Sequence, residues 1–223
     1  MRGLTFYTLT LTVNACSNFA LERSSKWRIS VRTKDLGGDH DFAWLVVPRG
    51  HLGAFGQQGK FGYIGAIETT PNSTFSNQDW VSAGINEKGL SCDTQTLLGT
   101  QYPQQSTNAT RNLRALQVCQ WALAQYSTVG EFTARLPHVT LWGDCATNPR
   151  DCKHISVRDS AGDAAVIEFL GGATQVYPDG NDGGKSGFGT MTNQPPYTWH
   201  LENVRHNAWK RSLARPAVGM PCA

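Results

Sequence analysis

The chain has 223 residues, with 20 Lys and Arg against 17 Asp and Glu. A net charge of +3 from scattered basic residues is not the clustered footprint of a nucleic-acid binder. Seven tryptophans argue against disorder, and no apolar run reaches the ~20 residues of a membrane span, which leaves a soluble globular protein.

The first fifteen residues admit three readings. Arg2, the short apolar run Leu4–Val13 and the Val13-Asn14-Ala15 site match a secretory signal. Alternation of Leu9, Leu11 and Val13 with Thr matches a first β-strand instead. Cleavage after Ala15 would expose Cys16 as a new N-terminus. Its thiol and α-amine would then share one residue, and an α-amine near pKa ~7.7–8.0 suits a general base. Lipidation of Cys16 is a third reading, and Asn14 fits it poorly.

Further along, Cys16–Glu22 and Trp27–Arg32 alternate and predict a hairpin. Phe42–Val47 is a strand ended by Pro48, and Gly50–Gly65 is Gly-rich and loop-heavy. Trp80–Ile85 and Leu90–Leu97 flank the turn Asn86-Glu87-Lys88-Gly89 as a second hairpin. Leu113, Leu116, Cys119, Leu123 and Tyr126 recur at helical spacing, which predicts a helix over 113–126 with Cys119 as a core thiol. Thr128 and Glu131 make a capping box for a short second helix. Lys153–Asp159 and Ala164–Leu170 form a third hairpin, Gly180–Gly189 a loop, and Thr198–Leu213 a helix. Antiparallel hairpins with helices between them predict an α+β layered sandwich in one domain over 16–223.

The stretch from Cys145 to Cys152 suits a loop disulfide, and no Cys or His pairs have zinc spacing. The sequons at Asn72 and Asn108 fall in polar segments.

Cys chemistry needs a cation or base nearby. Across the first predicted hairpin lie Arg32, suited to stabilise a thiolate, and Asp35, suited to hold an α-amine. Asn193 precedes Pro195 and Pro196, so a stiffened turn could aim its amide at an oxyanion. A surface pair and an ordinary turn Asn are the bland alternatives.

Four segments taken together, Cys16-Ser17-Asn18-Phe19, Val31-Arg32-Thr33-Lys34-Asp35, Asn86-Glu87-Lys88-Gly89-Leu90 and Thr192-Asn193-Gln194-Pro195-Pro196 followed by Trp199, resemble the choloylglycine hydrolase family. That family includes penicillin V acylases and conjugated bile acid hydrolases, which are N-terminal nucleophile (Ntn) hydrolases of linear amides. The resemblance spans Cys16 to about Arg215 and implies a four-layer αββα sandwich. It implies Cys16 as nucleophile, its freed amine as base, Arg32 and Asp35 as activating groups, and Asn193 as oxyanion donor. Thr96 aligns with a variable pocket position that is Asn in typical bile acid hydrolases and Tyr in typical penicillin V acylases.

The resemblance further implies an acyl-amide substrate of bile-acid, penicillin V or other N-acyl type, with no cofactor or metal. The signal reading implies a secreted or periplasmic location without stable membrane insertion, and the resemblance leaves room for a homo-oligomer. Family members continue past the last helix and supply a late active-site Arg that nothing here matches. The expected sandwich is therefore incomplete at the C-terminus. The rival expectation is an inactive fragment or a non-catalytic secreted protein.

Overall fold

The structure is a computed structural model that describes residues 16–24, 27–35, 41–69, 80–179 and 189–213. The signal reading of 1–15, the Asn72 sequon, most of the 180–189 loop and Cys222 lie outside the described residues. In chain order the elements are β1 (Ser17–Ser24), β2 (Trp27–Arg32), β3 (Asp41–Val47), β4 (Tyr63–Thr69), β5 (Val81–Asn86), β6 (Ser91–Thr96) and β7 (Asn112–Arg114). They continue with α1 (Val118–Gln125), α2 (Val129–Arg135), β8 (Thr140–Trp142), β9 (Lys153–Arg158), β10 (Ala164–Leu170), β11 (Ala173–Pro178), β12 (Thr190–Thr192) and α3 (Tyr197–Leu213).

Two sheets carry the architecture. One has three strands in the order β12-β1-β2, and the other has seven in the order β11-β10-β9-β6-β5-β4-β3. Neighbouring strands in both are antiparallel, as hairpin connections require. The predicted hairpins are present, and the α+β class holds.

Alternation sorts the large sheet's side chains. Cys92, Ile155, Val157, Ala165 and Ile167 join the cluster that contains α1 and α2. Val166, on the opposite face, packs with Met191 of β12 and Tyr197 of α3. Every residue of β9 is buried, because this strand is covered on both faces. A buried leucine such as Leu123 contributes about 2 kcal/mol by leaving water. Helix α1 comes close to the sheet at Gly84, where a Cβ would sit 2.7 Å from Leu123 Cδ1 and 2.7 Å from the Ile64 carbonyl.

The turn after β5 ties sheet to helix. Buried Asn86 accepts from the Lys88 and Leu90 amides, each at 3.0 Å. Its amide donates to the carbonyls of Leu123 at 2.9 Å and Tyr126 at 2.7 Å. All four hydrogen-bonding positions of one side chain are thereby used. Gly89 adopts φ +86°, which closes the turn at no steric cost.

Two expectations are corrected. The helix over 113–126 is α-helical only from Val118, after a 3-10 turn over Ala115–Gln117. Residues 112–114 are instead strand β7, parallel to β8. The Asn112 side chain exchanges two 2.8 Å hydrogen bonds with the Ser106 backbone, and Arg114 reaches the Asp151 carboxylate at 3.1 Å. These tertiary bonds hold the segment extended against its helical spacing. Cys119 is buried as expected, but it is not a thiol: it forms a disulfide with Cys92. Helical spacing assigned its face and could not reveal a partner on a strand. Cys145 and Cys152 form the expected loop disulfide. The capping box is present, with the Thr128 hydroxyl accepting from the Glu131 amide at 3.1 Å.

Candidate active site

Cys16 immediately precedes β1, the middle strand of the small sheet. It is 4% exposed and is the free cysteine among the described residues. Its backbone is gripped from both sides. The Gln95 amide lies 3.2 Å from the Cys16 carbonyl and 3.1 Å from the Asn18 amide nitrogen, donating to the first and accepting from the second. Ser17 and Thr33 exchange two bonds, with the Ser17 N–H donating to the Thr33 hydroxyl at 3.0 Å and the Thr33 N–H to the Ser17 carbonyl at 2.8 Å.

Strand register brings two predicted residues to Cys16. Ser17 pairs with Thr192, the last residue of β12, and Asn193 follows it directly. On the other side Asn18 pairs with Arg32. Asp35 is one relay away, since its carboxylate accepts from the Thr33 hydroxyl at 3.3 Å. Thr96, the last residue of β6, directly follows Gln95.

The guanidinium of Arg32 is committed to the protein. It donates to the Ser82 carbonyl at 2.9 Å and forms an ion pair with Asp93. Asp93 also accepts from the Asn18 amide at 2.9 Å. Burial pushes the Asp93 carboxyl upward, while the charge of Arg32 and the Asn18 bond oppose that push.

Two lysines complete a cationic cluster. The Lys34 ammonium donates to the Ser82 hydroxyl at 3.0 Å and lies 4.1 Å from the Phe42 ring centre. The Lys153 ammonium lies 3.5 Å from the Thr96 hydroxyl and 4.9 Å from the Trp80 ring centre. Both are lowered to about 8, first by burial and then by the positive charge of Arg32. Glu68 and Cys16 act in the opposite direction on each.

A second buried network fixes the Asn193 segment. Four residues beyond Asn193, the N–H of Tyr197 donates to Glu168 at 2.9 Å and its hydroxyl donates to Asp179. Asp179 also accepts from the Gly189 amide at 2.9 Å and pairs with Arg158 at 3.1 Å. Arg158 donates to the Asn18 side-chain oxygen at 2.8 Å, which closes the path back to β1. His154 Nδ1 lies 3.1 Å from Glu168, both side chains fully buried.

Cys16 thus heads a strand flanked by Arg32 on β2 and by β12, which leads into Asn193; Asp35 is joined through Thr33, and Thr96 follows the Gln95 that holds the Cys16 backbone. Sequence reasoning missed Asp93, Gln95, Asn18, Lys153 and Arg158. A signal for some of them was present: Asp93 and Gln95 alternate with Cys92 and Thr94 in a short strand too polar for an ordinary core. Among the described residues no three His, Cys, Asp or Glu side chains are grouped to hold a metal. No described helix is long and apolar enough to cross a membrane.

Residues 16–216 match the family described as linear amide C–N hydrolases, choloylglycine hydrolase family. The chain is 25% identical over 201 residues to a penicillin V acylase of Pectobacterium atrosepticum, covering 84% of this chain and 51% of that protein. It is 22% identical over 192 residues to a bile salt hydrolase/transferase of Clostridium perfringens, covering 85% and 56%. Among solved structures, a mutant conjugated bile acid hydrolase from Clostridium perfringens superposes with a TM-score of 0.70 at 21% identity, over 86% of this chain and 57% of that one. Penicillin V acylase from Agrobacterium tumefaciens gives 0.65 at 22% identity, over 92% and 60%. These likenesses show the shared Ntn-hydrolase fold, and the chain spans a little over half the length of these relatives. On the extent of the family match, the chain belongs to the choloylglycine hydrolase family of linear amide C–N hydrolases.

Proposed function

We propose that this chain carries the nucleophile half of a cysteine amidohydrolase acting on N-acyl amides. Removal of residues 1–15 as a secretory signal frees the α-amine of Cys16, which places the enzyme outside the cytoplasm. The observation that carries the reading is the position of Cys16, a buried free cysteine at the head of β1, with Arg32 on one flanking strand and Asn193 directly after the other.

The chemistry follows from those positions. The α-amine takes the thiol proton, and the sulfur attacks the amide carbonyl carbon. The carbonyl π electrons move onto oxygen, where the Asn193 amide and a backbone N–H near Thr96 donate to the oxyanion. One such donor lowers the barrier by about 3 kcal/mol. The C–N bond then breaks, and the departing nitrogen takes the proton held by the α-ammonium. Water attacks the resulting thioester, with the α-amine again as base, and releases the carboxylic acid. Asp35 acts through Thr33, whose hydroxyl receives the Ser17 N–H, and so orients the residue that carries the base.

The substrate class is an acyl amide, with bile-acid amides, penicillin V and fatty acyl amides as candidates. N-terminal sequencing of the secreted protein should read Cys16-Ser17-Asn18. A panel of those amides should give turnover that Cys16→Ser abolishes. Turnover by protein that retains Met1, or turnover that survives Cys16→Ser, overturns the reading.

A further inference from the structure

Lys153 is an unusual residue for the place it occupies. It opens β9 in the covered part of the large sheet and is 5% exposed. A buried lysine is costly unless its charge serves something, because burial disfavours the ammonium. Register pairs it with Thr96, and its ammonium lies 3.5 Å from that hydroxyl. The Trp80 ring lies on another side at 4.9 Å. Among the described residues, one long contact to a hydroxyl and one ring face leave the ammonium with N–H groups to spare.

The charged groups that act on this ammonium come from four directions. Arg32 of β2 and Lys34 beyond it repel it, while Glu68 of β4 attracts it, as would Cys16 in its thiolate form. Arg32 is already matched, since Asp93 and the Ser82 carbonyl take its guanidinium. Lys34 is held on the Ser82 hydroxyl. Lys153 is therefore the cation of the cluster that sits at the Thr96 end of β6, one residue along from Gln95, whose amide holds the Cys16 carbonyl.

We propose that Lys153 is a further catalytic residue: its ammonium holds the Thr96 hydroxyl with one N–H and offers another to the substrate carbonyl oxygen as that oxygen gains charge during attack by Cys16. This inference rests on the reading of Cys16 as nucleophile. It adds a full positive charge to a site otherwise served by neutral donors. A charge fixed in a dry site favours an oxyanion more strongly than a neutral amide does. The spacing between strands, not sequence proximity, assembles it, since Lys153 and Thr96 are 57 residues apart.

Two measurements test it, and they fail independently of one another. The first needs no substrate. In the protein with Cys16 intact, the rate of alkylation at Cys16 is measured by peptide mass spectrometry with anionic iodoacetate and with neutral iodoacetamide. The ratio of the two rates cancels the intrinsic reactivity of the thiol and reports the local charge. Lys153→Met should lower that ratio about fivefold, and Lys153→Arg should restore it. An unchanged ratio in folded Lys153→Met overturns the proposal, whatever the activity assay shows.

The second uses turnover of an acyl amide. Lys153→Met should lower kcat about a hundredfold with KM little changed, and Lys153→Arg should recover most of the loss. A loss in KM alone, or equal losses in Met and Arg, would reduce Lys153 to a structural residue and overturn the proposal. Absence of wild-type turnover on every amide overturns the hydrolase reading, and the catalytic role with it, while the alkylation ratio still decides whether the cation faces Cys16.

Discussion

Arg32 and Asp93 form a buried ion pair between the two sheets, next to the strand that begins at Cys16. Burial alone drives the Asp93 carboxyl toward its neutral form, and the charge of Arg32 opposes that. Breaking a buried pair from one side leaves an uncompensated charge, at about 3–5 kcal/mol. Asp93→Ala should therefore cost more stability than a surface substitution and should also disturb Asn18, which donates to the same carboxylate. Urea unfolding checks the first effect. A loss below about 1 kcal/mol would show that Arg32 finds another partner.

Asn86 makes a second, separable prediction. Its side chain satisfies two turn amides and two carbonyls at the C-terminal end of α1. Asn86→Ala leaves several of those groups buried without partners, each at about 1–3 kcal/mol. The variant should unfold at markedly lower denaturant concentration, while Lys88→Ala in the same turn should change little.

The two lysines near Cys16 give the protein a pH signature. Lys34 and Lys153 lose their protons near pH 8 when folded but only near 10.5 when unfolded. Between those values the unfolded chain holds more protons, so stability rises with pH. The rise should appear from about pH 8 to 9.5 and shrink in Lys153→Met and in Lys34→Met. Beyond that window the buried Tyr63 hydroxyl, pushed up to about 12 by burial, acts in the opposite direction. Activity should fall over the same range as stability rises, because the ammonium of Lys153 is the useful form. Lys153→Arg should move the alkaline limb of the rate profile upward.

The Cys92–Cys119 bond staples β6 to α1 behind the candidate site. Replacing both cysteines with alanine should cost about 2–4 kcal/mol. Thermal unfolding measured with and without reductant checks this, and the double variant should be insensitive to reductant at this bond. Cys145 and Cys152 close a loop of far fewer residues, so their removal should cost less.

Much of this fold could be read from alternation and turn residues. The hairpins at Asn86-Glu87-Lys88-Gly89 and around Gly162 announce themselves because their glycines take positive φ between alternating strands. The helix over 113–126 could not be read correctly, because its first turn is held extended by Asn112 and Arg114 through partners elsewhere in the chain. Strand β11 was also missed, since its alternating exposure on a sheet edge carries little apolar signal. In the site, Cys16, Arg32 and Asn193 were legible as parts of short motifs. Lys153 and Asp93 were not, because a charged residue in a strand reads as a solvated one until the opposite face is known to be covered. Their meaning arises only when two sheets meet.

The ladder that joins β12, β1 and β2 has an evolutionary consequence. Arg32 pairs with Asn18 two residues after Cys16, and Thr192, which pairs with Ser17, leads directly into Asn193, so the relative places of these residues do not depend on how far the chain travels between strands. Connections may lengthen or shorten freely while the three side chains stay in place. A single-residue insertion inside any of the three strands turns a side chain to the opposite face and dismantles the arrangement at once. Variation in this protein should thus accumulate in the connections and be purged from the rungs.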